Sequence, residues 1–532
     1  MSTVWRDSSR DSSIANWKAA NWKAANREAA KEAASQEAQP PAIKSEAKMW
    51  LTDHMLFQYR RCRRRTYLDT YGDPSLKDPP SDYFVKLRQD SADHRQSLLS
   101  QFAPLSRPTY DRYDWEAGAI ATHRLMSEGA DAIHRGVLIG EGPGGTFYRT
   151  EPDLLIKQPG ESWLGDWYYV PYTIKLGKKQ KPEYQLVATF SAYLLAELQG
   201  VWPETAWLFL KEKQYGVNLE RYVPKLQEAL DDCHDIMAAP SAPEVFISRN
   251  RCSLCPWLSH CYATAKSLNH LSLLPGVTLT RYPTLVDLGL TTVEALATAN
   301  VTRLTDALGT EHHISEKLIH QAQATAHAIA IPRLYKGSFP LAPHQVPTTD
   351  IELYFDIEAA PDKDLIYLHG VLVIDRKTEQ ETFHALLAET PEDEAKAWFE
   401  FLTLVDRYPN APIYHFCPYE AQTVSRLGQL YGTNGIDINA LLNRFVDIHK
   451  RMVDAVALPV ESYALKHLAR WMGFEWRDED ANGAQSICWY DDWLATGDRI
   501  HLDTILRYNE DDCQATYRVK DWLVKFAQPF WD

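Results

Sequence analysis

Ile351-Glu352-Leu353-Tyr354-Phe355-Asp356-Ile357-Glu358 reads as a buried strand, and strict alternation puts Asp356 and Glu358 on the same face at its end. Two carboxylates side by side repel each other, so a divalent cation between them is the economical explanation. The strand–helix alternation of an α/β domain begins here and runs to the C-terminus. Near its far end, Tyr508-Asn-Glu-Asp511-Asp512-Cys513 opens a helix that continues to Trp522, and Tyr508 and Asp512, four apart, share one helical face. That pairing lets a tyrosine hydroxyl orient an attacking water while the carboxylate holds metal. Between the two, Pro412-Ile-Tyr-His-Phe-Cys-Pro-Tyr419-Glu420 leads into a helix over 421–430, and Asp447 follows a further possible strand.

The D-x-E strand and the Y-x3-D helix together resemble the DEDDy exonucleases, the DnaQ-like branch of the RNase H fold, and more narrowly the RNase H-like domains of YprB type. The resemblance covers about residues 350–525 and implies two-metal hydrolysis of a phosphodiester with Mg²⁺ or Mn²⁺. Asp356, Glu358 and Asp512 are then the metal ligands and Tyr508 the residue that orients water. The family carries an intervening aspartate where this chain has Glu420, which keeps the charge on an arm one methylene longer. The Ser462-Tyr-Ala-Leu-Lys466-His segment resembles the family's S-L-K helix, which packs beside substrate.

Upstream, 532 residues with 45% hydrophobic composition suffice for several cores. No apolar run approaches the ~18 residues of a membrane helix and no signal-peptide h-region is present, which reads as a cytoplasmic protein with no membrane partner. The net charge of -15 argues against wholesale coating of nucleic acid, although a groove needs only local positive charge. Residues 1–48 form a low-complexity tail, with Asn16-Trp-Lys-Ala-Ala repeated at Asn21. Gly140-Glu-Gly-Pro-Gly-Gly145 lacks the Gly-Lys-Ser/Thr of a phosphate loop, so it reads as a hairpin turn and implies no nucleotide cofactor. Residues 267–330 form a small helical connector in which Leu274-Pro-Gly-Val277 and Leu285-Val-Asp-Leu-Gly289 resemble the helix-hairpin-helix class. Ile331 to Asp350, with four prolines, reads as a linker.

Cys252-Ser-Leu-Cys255-Pro-Trp-Leu-Ser-His-Cys261 sets three thiols within ten residues, a chelating surface that lacks a fourth ligand. Cys62, in Arg60-Arg61-Cys62-Arg63-Arg64-Arg65, is the nearest candidate upstream apart from Cys233. Zinc and an iron–sulfur cluster are the two inorganic readings, and one distant cysteine plus three clustered ones fits the cluster better than a paired zinc knuckle.

His94, Glu151-Pro-Asp153, Thr173-Ile-Lys175 and Gln185 through Tyr193 resemble, in order and spacing, the motif series of the RecB-type PD-(D/E)XK nucleases, including the iron–sulfur domains of AddAB-type and CRISPR-associated RecB-like enzymes. The match covers about residues 49–266 and implies a restriction-endonuclease-like α/β core. It further implies a 4Fe-4S cluster on Cys62, Cys252, Cys255 and Cys261, metal on Asp153 and His94, Lys175 as electrophilic stabiliser, and Gln185 and Tyr193 as supports. The family has Asp or Glu two residues before the lysine. Thr173 in that place predicts weaker metal binding unless Asp166 or Glu151 reaches the site.

The chain thus resembles the bacterial RecB-like nucleases that join these two parts. The expected architecture is multidomain α/β: an iron–sulfur RecB-like lobe over 49–266, a helical connector over 267–330, and an RNase H-like lobe over 351–532. The expected activity is metal-dependent hydrolysis of DNA in preference to RNA, acting on single strands or ends, with a helicase or repair protein as partner. The rival reading is a catalytically degenerate nucleic-acid-binding or scaffold protein in DNA repair or defence.

Overall fold

The computed structural model describes residues 49–102, 104–335 and 337–531. The low-complexity segment 1–48 lies outside the described residues. The chain divides into two compact units, one formed by 49–73 with Gln89–Glu244 and the other by Pro74–Arg88 with Val245–Asp532.

In the first unit, strands β1 (Trp50–Thr52), β2 (Ala132–His134), β3 (Leu138–Glu141), β4 (Phe147–Thr150), β5 (Leu154–Ser162), β6 (Gly165–Ile174), β7 (Ala206–Phe209) and β8 (Gln214–Val217) form two sheets. The larger has the order β2-β5-β6-β7-β8, with β6 and β7 parallel and the other neighbours antiparallel. The smaller has the order β1-β4-β3. The glycine-rich Gly140–Gly145 stretch closes the antiparallel β3–β4 hairpin, with Gly144 and Gly145 at positive φ. β2 and β3 are separate strands because the chain turns between them at Arg135, which sits at φ 54°. The helix Pro182–Gln199 crosses from β6 to β7. Its Leu186, Phe190, Leu194 and Leu195 share a core with Leu155 and Tyr169.

The second unit begins with short helices. Four of them, Tyr282–Asp287, Val293–Ala297, Val301–Leu308 and His312–His327, pack round Leu271, Leu285, Leu296, Leu304 and Leu318. The stretch from 331 to 350 is not a free linker. β9 (Ile331–Pro332) pairs with a later strand, the buried Arg333 is bonded on all sides, and Leu341 and Val346 enter the core beside Tyr354 and Val519. Four prolines hide this role, because a segment can pack by side chains while offering few backbone donors.

The sheet that follows contains β10 (Ile351–Ala360), β11 (Leu365–Asp375), β12 (Gln380–Leu387), β13 (Ile413–His415) and β14 (Phe445–Asp447), in the order β12-β11-β10-β13-β14. The first three are antiparallel, and β10–β13 and β13–β14 are parallel. β15 (Val456–Ala457) lies outside it and pairs with β9. Alternation along β10 sends Leu353, Phe355 and Ile357 into one core, with Trp398 and Phe401 of the helix Glu394–Asp406. Tyr354 goes to the opposite core with Val519 and Leu523 of the long helix Arg499–Ala527. Asp356 and Glu358 therefore face that helix.

Candidate active site

Asp356 and Glu358 stand on β10 two residues apart, and Asp512 reaches them from the helix Arg499–Ala527. One carboxylate oxygen from each lies within 4.8 Å of the others, and no other set of three acidic, histidine or cysteine ligands converges so closely among the described residues. Glu358 and Asp512 are buried. Among the described residues none of the three forms an ion pair with a lysine or arginine, and the nearest cationic influence is the charge of Lys466 on Asp512.

Each carboxylate is instead gripped through one oxygen by a neutral donor. Asn509 Nδ2 donates to Asp356 Oδ2 at 2.7 Å, Ser486 Oγ to Glu358 Oε2 at 2.7 Å, and Trp476 Nε1 to Asp512 Oδ1 at 2.8 Å. The donors orient the acids without neutralising them, which is the usual arrangement behind metal ligands. Gly370, opposite Asp356 in the β10–β11 register, makes room for this grip. A Cβ there would lie 1.6 Å from Asn509 Oδ1.

The electrostatics reflect the crowding. Burial lifts the Asp356 carboxyl well above the usual range, and Asp512, Glu358 and Glu420 push it further. Burial, with Asp512 beside it, takes Glu358 up to about 8 against the hydrogen bonds of Ser486 and Asn509. Burial takes Asp512 up to about 6, opposed by hydrogen bonds from Trp476 and Tyr508 and by the nearby Lys466 ammonium. With no cation, burial favours the protonated form of Glu358 at neutral pH. Three converging hard oxygen donors, each hydrogen-bonded by a neutral donor, suit Mg²⁺ or Mn²⁺.

Tyr508, one turn before Asp512, is bonded to it, and burial raises its phenol so that it remains a donor. Lys466 Nζ stands over the rings of Trp476 and Tyr508, at 5.3 and 5.5 Å, and donates to Ala481 O. Glu420, the second residue of the helix Tyr419–Tyr431, is buried outside the group of three, and His415 Nδ1 lies 3.3 Å from its Oε2. Its field reaches Asp356. Asp447 ends β14 and caps the helix Ile448–Ala455, its Oδ1 accepting from Lys450 N at 2.9 Å and Cys417 N at 3.3 Å.

Residues 353–524 match the family model of the RNase H superfamily. The RNase H-like domain therefore contains the whole acidic triad. A search of the curated proteins finds no match to the chain.

The residues singled out in the first unit are differently placed. Asp153 precedes β5. Its Oδ1 pairs with Arg95 Nε at 2.6 Å and its Oδ2 accepts from Ile174 N at 2.6 Å. His94, one residue before that arginine, has an Nε2 with no hydrogen-bond partner, and burial together with the charges of Lys211 and Arg95 lowers its pKa. Lys175 is one residue past the end of β6. Its Nζ lies 5.9 Å from the centre of the Phe57 ring, and its charge acts on Asp53, which burial otherwise raises. Burial raises Glu151, with the charge of Asp53 adding to it and Arg149 opposing. Thr173 is buried with its Oγ1 unpaired. Gln185 donates to Gln180 O at 3.3 Å, and Tyr193 bonds Glu197 on its own helix and packs against Trp202.

Of the cysteines, Cys62 stands between the helices Asp53–Arg61 and Arg63–Tyr71 of the first unit. In the second unit Cys252 ends the short helix Arg249–Cys252, Cys255 lies in the turn that follows, and Cys261 is in the helix Leu258–Ser267. All four are half-buried and none forms a disulfide.

Ser486, Asn509 and Trp476 were not singled out from the sequence. Only Asn509 carried a signal, its place between Tyr508 and Asp512.

Proposed function

We propose that the RNase H-like domain is a metal-dependent nuclease that hydrolyses phosphodiester bonds of DNA, acting on single strands or ends. The observation that carries this reading is the convergence of Asp356, Glu358 and Asp512 within 4.8 Å, gripped by neutral donors and, among the described residues, without an ion-paired lysine or arginine. A divalent cation on these carboxylates would supply charge neutralisation at the phosphate and a more acidic water. Asn509, Ser486 and Trp476 fix the angles at which the carboxylates present their other oxygens. Tyr508, held to Asp512 and protonated, orients the attacking water. Glu420, with His415 behind it, adds negative charge beside Asp356.

For the first unit, the Arg95–Asp153 pair and the neutral Thr173 favour binding of nucleic acid without cleavage. A cluster of the 4Fe-4S type on Cys62, Cys252, Cys255 and Cys261 belongs to the same reading and rests on the sequence pattern.

The test is release of nucleotides from end-labelled single-stranded DNA with Mg²⁺ or Mn²⁺. Asp356→Asn is expected to abolish release and Lys175→Ala to leave it. Loss with Lys175→Ala and persistence with Asp356→Asn would move the activity to the first unit.

A further inference from the structure

Within the second unit a cleft of about 410 Å³ opens between the helical connector and the RNase H-like domain. Arg249, Arg281, Lys317 and Arg333 line it, with His313 and His449, and no carboxylate does so among the described residues. This is an unusual concentration of positive charge in a chain of net charge -15.

Among the described residues Arg281 and Arg333 form no ion pair with a carboxylate. Lys317 pairs with Asp454 at 2.7 Å. Arg333 is buried yet gives its donors to Val456 O, Lys317 O, Gln321 Oε1 and the Tyr463 hydroxyl, all uncharged acceptors. Its positive charge therefore stays under the floor of the cleft. The Arg281 side chain donates to the Gly276 carbonyl, at 2.8 Å, in the Leu274-Pro-Gly276 turn that forms one edge. Arg249 is exposed at the rim. Partial burial lowers its pKa and the nearby Glu461 offsets this, but that carboxylate is already engaged by Tyr262 and Lys266.

Hydrogen bonds tie the walls together, and the lining lies two residues from side chains whose charges act on the acidic residues. The connector helix His312–His327 is tied to the nuclease domain by Gln321 Nε2 donating to Leu458 O at 2.6 Å and by the Tyr463 hydroxyl donating to Gln321 Oε1 at 2.9 Å. Ala464 lines the cleft, and two residues on is Lys466, whose charge acts on Asp512. His449 also lines it, two residues after Asp447, whose charge acts on Glu420. Two residues of chain span at most about 7 Å.

We propose that this cleft holds the phosphodiester backbone of the same nucleic-acid strand whose end enters the acidic triad, with Arg249 and Arg281 as the phosphate contacts. The proposal rests on the nuclease reading for the position of that end. Arginine suits the task because its planar fork matches phosphate oxygens. Contacts of this kind fix register and are independent of base sequence. The volume is that of a small-ligand site, enough for a few backbone units but not a duplex.

The experiment measures fluorescence anisotropy of a labelled single-stranded oligonucleotide on full-length Asp356→Asn protein, which is expected to bind without cutting. Adding Arg249→Ala with Arg281→Ala is expected to weaken binding at least tenfold and to flatten the dependence of log affinity on log salt by about 1.4, the slope of two lost phosphate contacts. The exposed Arg249→Glu alone, which leaves the cleft wall intact, is expected to weaken binding as well. Lys377→Ala with Lys525→Ala, an equal loss of charge elsewhere in the second unit, is expected to change little.

Equal weakening by both pairs, or by neither, overturns the proposal. Competition by inorganic phosphate or a mononucleotide at the concentration at which unlabelled oligonucleotide competes also overturns it, assigning the cleft to free phosphate. If wild type releases no nucleotide with either metal while the arginine pair still governs binding, the nuclease reading fails and the cleft stands. If the oligonucleotide is cut but the arginines do not matter, the cleft fails and the nuclease reading stands.

Discussion

Replacing Glu358 with glutamine removes the negative charge that this carboxyl takes on above about pH 8 and keeps an oxygen for Ser486 Oγ to bond. In the wild type the Glu358 carboxyl moves from its ordinary 4.5 up to about 8. A carboxyl raised on folding favours the folded state fully below its unfolded value, and that contribution is lost as pH rises through the folded one. Each pH unit in between is worth about 1.4 kcal/mol, so the interval sets an upper bound on the order of 5 kcal/mol. Part of the shift is repulsion shared with Asp512, which leaves a few kcal/mol for the substitution. Thermal unfolding in EDTA should show Glu358→Gln melting above wild type by roughly 5–10 °C at pH 8.5, with the gap closing by pH 5. Mn²⁺ should reverse the order at pH 8.5, because it stabilises wild type by binding only the folded state and the variant has lost a ligand. The reasoning is refuted if the variant is no more stable than wild type in EDTA at high pH, or if Mn²⁺ fails to raise the wild-type midpoint.

Other consequences follow from neighbouring residues. Gly370→Ala should abolish nuclease activity while the circular dichroism of the fold persists, since the new methyl displaces the Asn509 amide from Asp356; full activity would show that the amide is dispensable. Trp476→Phe removes the donor to Asp512 and should weaken metal affinity about 10-fold, read by titrating Mn²⁺ against rate, with unfolding in EDTA little changed. Lys520, fully buried against Glu352, should cost about 3 kcal/mol in urea unfolding when replaced by methionine, because the glutamate loses one of its two cationic partners, and Glu352→Gln in addition should restore much of that loss. Protein purified without oxygen should be brown and carry iron and acid-labile sulfide, and Cys255→Ser should lose both; a colourless protein holding zinc would overturn the cluster.

The RNase H-like site was legible where periodicity is strict. A two-residue period aligned Asp356 with Glu358, and a helical step joined Tyr508 to Asp512, so four side chains followed from local geometry. Ser486 and Trp476 were not legible, because they arrive from separate elements and serine and tryptophan carry no spacing of their own. Gly370 gains its meaning only from the β10–β11 register. The segment 331–350 looked like a linker because proline content masks packing, whereas Arg333, Leu341 and Val346 are all buried. In the first unit, motif order pointed to Asp153 and Lys175 as one site. The structure gives Asp153 to Arg95 and sets the lysine's charge against Asp53. Spacing along a chain does not reveal which of several nearby opposite charges a side chain will choose.

The most direct measurement follows one 5′-labelled single-stranded DNA with Mn²⁺, with wild type and Asp356→Asn run side by side. The account predicts shortening of the strand by wild type, none by the variant, and none by either in EDTA. Undiminished shortening by Asp356→Asn, or an intact strand with wild type and either Mn²⁺ or Mg²⁺, would contradict it.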